Sequence, residues 1–312
     1  MQKEGVNMKI GVQSGYVFTK DAYADGLRMI REAGFESVDI NLDEMLNVKK
    51  LAAEGANPFF SRSTGEIEVL FVPMKEQADV LGLSFGQMHA PFPVYLPGKD
   101  DANDALFDAI CKCMAVCRVL DCPNLIVHPI AWDGTIAEER ERNMAFYSAL
   151  IETAKRYDVC ICLENMFHGR YGYMTEAVCS DFAAAAEYID ALNAIAGEER
   201  FGFCYDVGHA TLLGKDQRRS INQLGKRLKA LHIHDNDGRN DLHMQPYAYT
   251  RGQQYVTDWN GFLQGLRDVG FDGVLSFETY HSLMYLPETL KGAMLRYIAQ
   301  VGSYFRDQLT GS

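Results

Sequence analysis

The sequence predicts an α/β protein, a single (β/α)8 TIM barrel that spans residues 1–312. Apolar runs of strand length alternate with amphipathic segments of helix length along the whole chain, without a long linker between them. Polar residues stand at the C-terminal ends of these runs all the way along the chain, and no G-x-G-x-x-G follows the first run. A closed barrel is therefore favoured over an open, doubly wound sheet.

Eight apolar runs, bounded by turn-forming residues, are predicted as the barrel strands. In chain order they are Lys9–Ser14, Ser37–Leu42, Leu83–Ala90, Asn124–Pro129, Val159–Asn165, Phe201–Asp206, Ala230–His234 and Gly273–Thr279. Amphipathic segments between and after them predict helices at Asp21–Ala33, Asp101–Leu120, Glu138–Tyr157, Glu176–Ala196, Asp258–Val269 and Pro287–Phe305.

Residues at the ends of these segments agree with the predicted helices. Asp21 and Asp258 are expected to cap their helices, and Gly34 and Gly270 to end them. Residues 43–64 are less regular and are expected to form loops or short helices over the barrel mouth. Residues 1–7 are polar, lack the apolar core of a signal peptide, and are predicted to be a disordered leader.

Composition limits the classes of function. The 30 Lys and Arg against 42 Asp and Glu give a net charge of −12, which disfavours broad nucleic-acid binding. No run approaches the roughly 18 apolar residues of a membrane span, so a cytoplasmic location without membrane contact is expected. The eight cysteines contain no C-x-x-C pair, which predicts reduced, mostly buried thiols rather than structural zinc.

Metal-binding residue types recur at the ends of the last four strands. Glu164, Asp206, a histidine of the seventh strand (His232 or His234) and Glu278 supply three carboxylates and one imidazole. A single such residue is more often a helix cap or an ion-pair partner, but carboxylates that converge on one barrel axis would repel each other without a cation. The set predicts one divalent ion, with Mn²⁺ preferred and Mg²⁺, Co²⁺ or Zn²⁺ as alternatives.

The motifs around these residues carry a family resemblance. Glu164-Asn, Asp206-Val-Gly-His209, the His-Ile-His-Asp-Asn-Asp-Gly stretch at 232–238 and Ser276-Phe-Glu278 resemble the xylose-isomerase-like TIM-barrel superfamily. That superfamily includes sugar isomerases, ketose 3-epimerases, inosose isomerases and dehydratases, and enzymes of the endonuclease IV type. The resemblance covers the whole barrel and is specific for the superfamily rather than for a substrate.

The resemblance to the epimerases implies an isomerase or epimerase of a sugar, sugar derivative or cyclitol. Proton transfer next to a carbonyl would pass through a metal-held enediolate, with Glu164 and Glu278 as the acid–base pair and His209 contacting substrate. Both seventh-strand histidines point the same way in an ideal strand, and the family spacing to Asp237 favours His234 slightly.

The resemblance to endonuclease IV implies a rival hypothesis, a trinuclear-zinc phosphodiester hydrolase. His89, His128, His209 and Asp241-Leu-His243 stand where that type has further zinc ligands. Against it, the segment 11–15 lacks the histidine that the endonucleases carry after the first strand. In sugar-acting relatives the same positions line the pocket, which makes His89, His128 and His243 candidate substrate-binding residues.

The predicted mouth carries more aromatic than basic residues, which suits stacking on a sugar or on an attached aromatic group. Trp132 is one of these candidates. Arg251, in a long aromatic-rich loop, is a candidate clamp for a phosphate or carboxylate on the substrate. A third hypothesis is a sugar-acting subunit that needs a partner chain, and homo-oligomers are common in this fold family.

Overall fold

Parallel strands form the inner layer of the structure, a computed structural model that describes residues 8–19, 21–170 and 172–311. The predicted leader, residues 1–7, lies outside the described residues. In chain order the strands are β1 (Ile10–Gln13), β2 (Ser37–Asn41), β3 (Ser84–His89), β4 (Asn124–Ile126), β5 (Cys160–Glu164), β6 (Phe167–Arg170), β7 (Tyr173–Glu176), β8 (Phe201–Asp206), β9 (Leu228–His232), β10 (Thr250–Arg251), β11 (Gln254–Tyr255) and β12 (Leu275–Phe277).

Eight of these strands make one sheet in the order β12-β1-β2-β3-β4-β5-β8-β9, and every neighbouring pair is parallel. Ile233, directly after β9, bridges Phe277 of β12 in parallel. The Ile233 amide donates to the Ser276 carbonyl (2.9 Å), and the Ile233 carbonyl accepts from the Glu278 amide (3.1 Å), so the sheet closes into a barrel. The predicted (β/α)8 fold is confirmed. The pairs β6–β7 and β10–β11 are antiparallel hairpins outside the barrel.

Helices cover the outside of the barrel. In chain order they are α1 (Tyr23–Ala33), α2 (Val48–Glu54), α3 (Thr64–Leu81), α4 (Asp100–Leu120), α5 (Ile136–Tyr157), α6 (Phe182–Ala196), α7 (Val207–Leu212), α8 (Gln217–Leu224), α9 (Trp259–Val269), α10 (His281–Met284) and α11 (Glu288–Thr310). Short 3₁₀ turns at Asp43–Met45 and Gly225–Arg227 complete the described elements. No helix in the described part of the chain is long and apolar enough to span a membrane.

Three of the four predicted helix-end residues act as expected. Asp258 accepts the Gly261 amide at the start of α9, and Gly34 and Gly270 end α1 and α9 in the left-handed conformation. The prediction for Asp21 was wrong, because α1 begins at Tyr23 with Ala22 at the N-cap position.

Several helical segments differ from the prediction, and α7, α8 and α10 were not predicted. Helix α6 begins at Phe182 rather than Glu176, because Asp181 accepts the amides of Ala183 and Ala184 while the preceding residues form the β6–β7 hairpin. Helix α3 was not predicted: it contains Pro73, and its exposed Val69 and Val72 blur the amphipathic pattern.

Small side chains fill the barrel interior below the candidate site. Ile126, Cys162, Cys204 and Ala230 form a buried cluster there. All eight cysteines are free, as predicted, and burial raises the pKa of the Cys204 thiol above its ordinary value. This cluster forms an apolar layer below the level at which the strands end in carboxylates and imidazoles.

Candidate metal centre

Four neighbouring barrel strands place acidic or imidazole side chains at one depth. Glu164, Asp206 and His232 are the last residues of β5, β8 and β9, and Glu278 directly follows β12. All four are buried. Because the C-terminal ends of parallel barrel strands meet at the same face, these side chains converge there.

His232 lies at the centre of this group. Its Nδ1 is 3.4 Å from a Glu164 oxygen, 3.4 Å from a Glu278 oxygen and 3.8 Å from an Asp206 oxygen. Neither His232 nitrogen has a hydrogen-bond partner among the described residues. Three buried carboxylates around an imidazole without hydrogen bonds fit a divalent cation, which would balance their charge and accept the imidazole nitrogen as a ligand.

A second group lies beside the first and contains His234. The His234 Nε2 is 3.1 Å from the Asp206 carboxylate, and its ring stacks on the His243 ring with centroids 4.0 Å apart. Asp241 accepts from His243 Nε2 at 2.9 Å and lies 3.5 Å from His209 Nε2. Ligand atoms of His209, His234, Asp241 and His243 all lie within 4.8 Å of one another, so these residues could hold a further ion.

A third group adjoins Glu164 and consists of His89, at the end of β3, and His128, just after β4. The Nε2 atoms of His89 and His128 are 2.9 Å apart, and His128 Nε2 is 3.1 Å from a Glu164 oxygen. Phe92 packs edge-on against His128 from the loop above. Every acidic and histidine residue predicted for the site therefore belongs to one continuous cluster, in which Glu164 and Asp206 connect the groups.

The electrostatics of the cluster couple its acids and imidazoles. Burial lowers the pKa of the His209 imidazole, but the Asp206 and Asp241 carboxylates outweigh it and raise that pKa to about 10. Burial raises the pKa of Glu278, yet His232 and His243 lower it well below the ordinary range. Glu278 is therefore held as a carboxylate, the form that can bind a cation or accept a proton.

Sequence analysis missed two polar residues that support the cluster from below. The Gln13 amide nitrogen donates to Glu278 Oε1 at 2.7 Å, which fixes the orientation of that carboxylate. Asp39, from the middle of β2, accepts from Gln87 at 2.8 Å and lies 3.6 Å from His232 Nε2. The available signal was a buried-type strand, Ser37–Asn41, with one acidic residue on its inward face.

Asp206 caps α7 and also contacts the His234 ring. Its Oδ1 accepts the His209 amide at 2.6 Å, so the carboxylate caps the helix that carries His209. Gly208 in the same turn allows close packing of His234, because a Cβ at this position would lie 1.9 Å from the His234 Cε1 atom. The Asp-Val-Gly-His sequence therefore fixes two imidazoles relative to one carboxylate.

A known protein family accounts for most of the chain. Residues 27–300 match the family described as xylose isomerase-like TIM barrel. The chain belongs to this family.

Its relatives are distant in sequence. An uncharacterized protein of Methanocaldococcus jannaschii is 24% identical over 288 residues, 88% of this chain and 84% of the relative. An inosose isomerase of Bacillus velezensis is 23% identical over 197 residues, 62% of this chain and 67% of that enzyme.

Solved structures resemble the whole barrel. A D-tagatose 3-epimerase-like protein superposes with a TM-score of 0.70 at 19% identity, covering 96% of this chain and 99% of that one. The IolI protein, crystallised with a zinc atom, gives a TM-score of 0.67 at 16% identity over 97% and 98% of the two chains. Both confirm the fold.

One buried carboxylate anchors the segment that brings Asp241 and His243 to the site. Asp235 exchanges backbone hydrogen bonds with Met244 (2.8 and 3.1 Å), which closes the loop between them. Its side chain accepts from Thr257 Oγ1 at 2.7 Å and from the Ala248 amide at 2.9 Å. The chain from 236 to 257 is thus tied back to the end of β9 through Asp235.

Two predicted substrate contacts lie away from the cluster. Trp132 follows β4, is stacked by the Arg142 guanidinium at 3.5 Å, and lines a separate cavity beside α5. Arg251 is exposed on the β10–β11 hairpin. Their roles in substrate binding stay predictions, whereas the candidate acids and histidines share one buried site.

Proposed function

We propose that the chain is a divalent-metal-dependent isomerase or epimerase that moves a proton next to the carbonyl of a sugar, sugar derivative or cyclitol. The observation that carries the proposal is the group of three buried carboxylates around His232. Glu164, Asp206, His232 and Glu278 are the proposed ligands. We prefer His232 to His234 as the imidazole ligand, because His234 contacts Asp206 but no other member of this carboxylate group.

A divalent ion at this position, with Mn²⁺ preferred for its mixed oxygen and nitrogen ligands, would polarise a substrate carbonyl and acidify the neighbouring C–H. Glu164 and Glu278 approach from β5 and β12, so one carboxylate can remove the proton and the other can return it on the opposite face. Gln13 holds Glu278 in place through its 2.7 Å hydrogen bond. His209, beside Glu164 and Asp206, is the proposed partner for substrate oxygens.

The comparisons support this choice of reaction class. Solved structures with the same fold include proteins described as a D-tagatose 3-epimerase-like protein and an L-ribulose 3-epimerase. The activities named are those of the two proteins, and we extend only the reaction class to this chain. A small substrate also suits a net charge of −12, which would repel a phosphate backbone.

Exchange of hydrogen with solvent tests the proposed reaction. The Mn²⁺-loaded chain is incubated in deuterated water with a panel of ketoses and inososes. We expect one deuterium to enter the reactive substrate at the carbon next to the carbonyl, and chelation of the ion to stop this incorporation. Substrate conversion with every C–H retained would contradict the proton-transfer mechanism.

Metal content should show which of the two histidines predicted for the seventh strand, His232 or His234, binds the ion. His232→Ala is expected to lower bound metal from about one ion per chain to well below one, because it removes a proposed central ligand. His234→Ala serves as the matched control and is expected to retain the ion. Plasma mass spectrometry after dialysis measures both variants. Retention in His232→Ala together with loss in His234→Ala would reverse the assignment.

A second candidate function is a trinuclear phosphodiester hydrolase. The observation in its favour is that two further groups, one around Asp241 and one around His89 and His128, adjoin the central carboxylates. About three zinc ions per wild-type chain, together with cleavage of an abasic-site DNA duplex, would favour this function. One ion per chain without DNA cleavage would exclude it.

A further inference from the structure

A cavity of about 620 Å³ lies between the N-terminal halves of α5 and α6, beneath the β6–β7 hairpin. This volume is within the range of small-molecule binding sites. None of the residues that line it belongs to the histidine and carboxylate cluster. The cavity is therefore separate from the proposed substrate site.

Two aromatic side chains form walls of the cavity, and arginines hold both of them. The Arg142 guanidinium lies 3.5 Å from the centroid of the Trp132 ring, and the Arg140 guanidinium lies 5.7 Å from that of Tyr188. Val178 adds an apolar surface between them. Fixed, flat, mostly apolar walls favour a ligand with an aromatic ring.

Polar groups that line the cavity determine which hydrogen-bonding groups a bound aromatic ligand needs. The Tyr188 hydroxyl is buried and has no hydrogen-bond partner in the described part of the chain, so it is available to a ligand acceptor. Glu139 is a second lining residue, and its carboxylate accepts from the Trp132 amide at 3.2 Å. Burial raises the pKa of Glu139. An N–H donor of the ligand would supply this carboxylate with a further hydrogen bond.

The hairpin over the cavity also contacts the metal cluster. Phe167 of β6 packs against the His209 ring, with centroids 4.9 Å apart, and the next residue, His168, lines the cavity. Successive strand residues face opposite sides, so one strand separates the two sites. Cys179, another lining residue, has a backbone φ of 63°, a strained conformation that occurs preferentially at functional sites.

We propose that this cavity is a second binding site, which takes a flat aromatic molecule bearing an uncharged or cationic N–H donor. The Glu139 and Asp181 carboxylates along the lining outnumber the Arg140 guanidinium, so anionic rings are disfavoured. Glu176, a third lining carboxylate, is already paired with Lys215. A bound ligand would contact the hairpin at His168, the neighbour of Phe167 in the chain. This site does not depend on the reaction that the metal cluster catalyses.

Three probes of the same shape and different charge test the proposal. Benzamide, benzamidine and benzoate are titrated into the full-length chain, and quenching of tryptophan fluorescence is followed. Of the two tryptophans, Trp259 is buried elsewhere, so Trp132→Phe should remove the signal. We expect benzamide and benzamidine to bind with Kd on the order of 1 mM, as suits such small ligands, and benzoate at least about tenfold more weakly.

Matched variants of α6 locate the binding. Ala184 is exposed and lines the cavity, whereas its exposed neighbour Ala183 does not. Ala184→Leu is expected to weaken probe binding at least about tenfold by filling the cavity, and Ala183→Leu to leave it unchanged. Tyr188→Phe should weaken benzamide about fivefold, because it removes the free hydroxyl.

Several outcomes would overturn the proposal. Absence of probe binding, equal binding to the Ala183 and Ala184 variants, or equal affinity for benzoate would each contradict it. The cavity would instead be an interface between copies of the chain if Ala184→Leu, but not Ala183→Leu, changed the sedimentation of the protein. The binding readout needs no turnover, so its result is distinguishable from failure of the proposed isomerase function.

Discussion

Replacing Glu164 with glutamine is expected to reduce turnover about a thousandfold while the barrel stays folded. Glu164 contacts His128, His209 and His232 through its two oxygens, so it connects the groups of the cluster. Glutamine keeps the size of the side chain but cannot accept the substrate proton. Loss of general acid–base catalysis alone costs about 10²–10⁴-fold in rate.

The measurement compares turnover of the substrate identified by deuterium exchange, with circular dichroism to confirm the fold. Glu278→Gln should show a loss of similar size, because Glu278 is the proposed partner in proton transfer. Glu187→Gln, an exposed position on α6, is the matched control and should retain full activity. Near-normal turnover in Glu164→Gln with bound metal would remove Glu164 from the catalytic mechanism.

Replacing Gly208 with alanine is expected to disrupt the site through packing alone. The added Cβ would lie 1.9 Å from Cε1 and 2.5 Å from Nδ1 of the His234 ring. His234 is fully buried between this turn and His243, so the ring cannot move aside without losing its contact with Asp206. Overpacking of this kind destabilises proteins by about 1–3 kcal/mol, and we expect the upper end of that range.

Chemical denaturation measures the change in unfolding free energy, and metal content reports on the site. Gly65→Ala is the matched control: Gly65 is helical, and a Cβ there meets nothing within 4 Å. The control should be neutral or stabilising by up to about 1 kcal/mol, since alanine favours helix. If both variants unfold alike and Gly208→Ala keeps its metal, the close approach to His234 has no energetic consequence.

Much of the site could be predicted because strand geometry is regular. Alternation along β5 and β8 places Glu164 and Asp206 at the barrel mouth, and both are where that rule puts them. The same rule fails for His232 and His234. Strand β9 ends at His232, and the Asp235–Met244 bridge then turns the chain, so His234 belongs to a neighbouring group.

Other features leave weak signals in the sequence. Asp39 is a single acid within an apolar strand. Its role is visible only in the folded protein, where it lies 3.6 Å from His232 Nε2. The β6–β7 hairpin is short and precedes a helix, so its pattern merges with that of α6. Both depend on tertiary contacts that local periodicity does not encode.

The anchoring of the 236–257 segment has an evolutionary consequence. Glu164, Asp206 and His232 are built into barrel strands and Glu278 directly follows one, so the barrel itself fixes their backbone positions. Asp241 and His243 reside instead on an appended segment that hydrogen bonds attach to the barrel, through Asp235 and through Ser282, whose Oγ accepts the Gln245 amide. Mutation can therefore remodel this segment, and the extra ligands it carries, while the strand-borne centre stays intact.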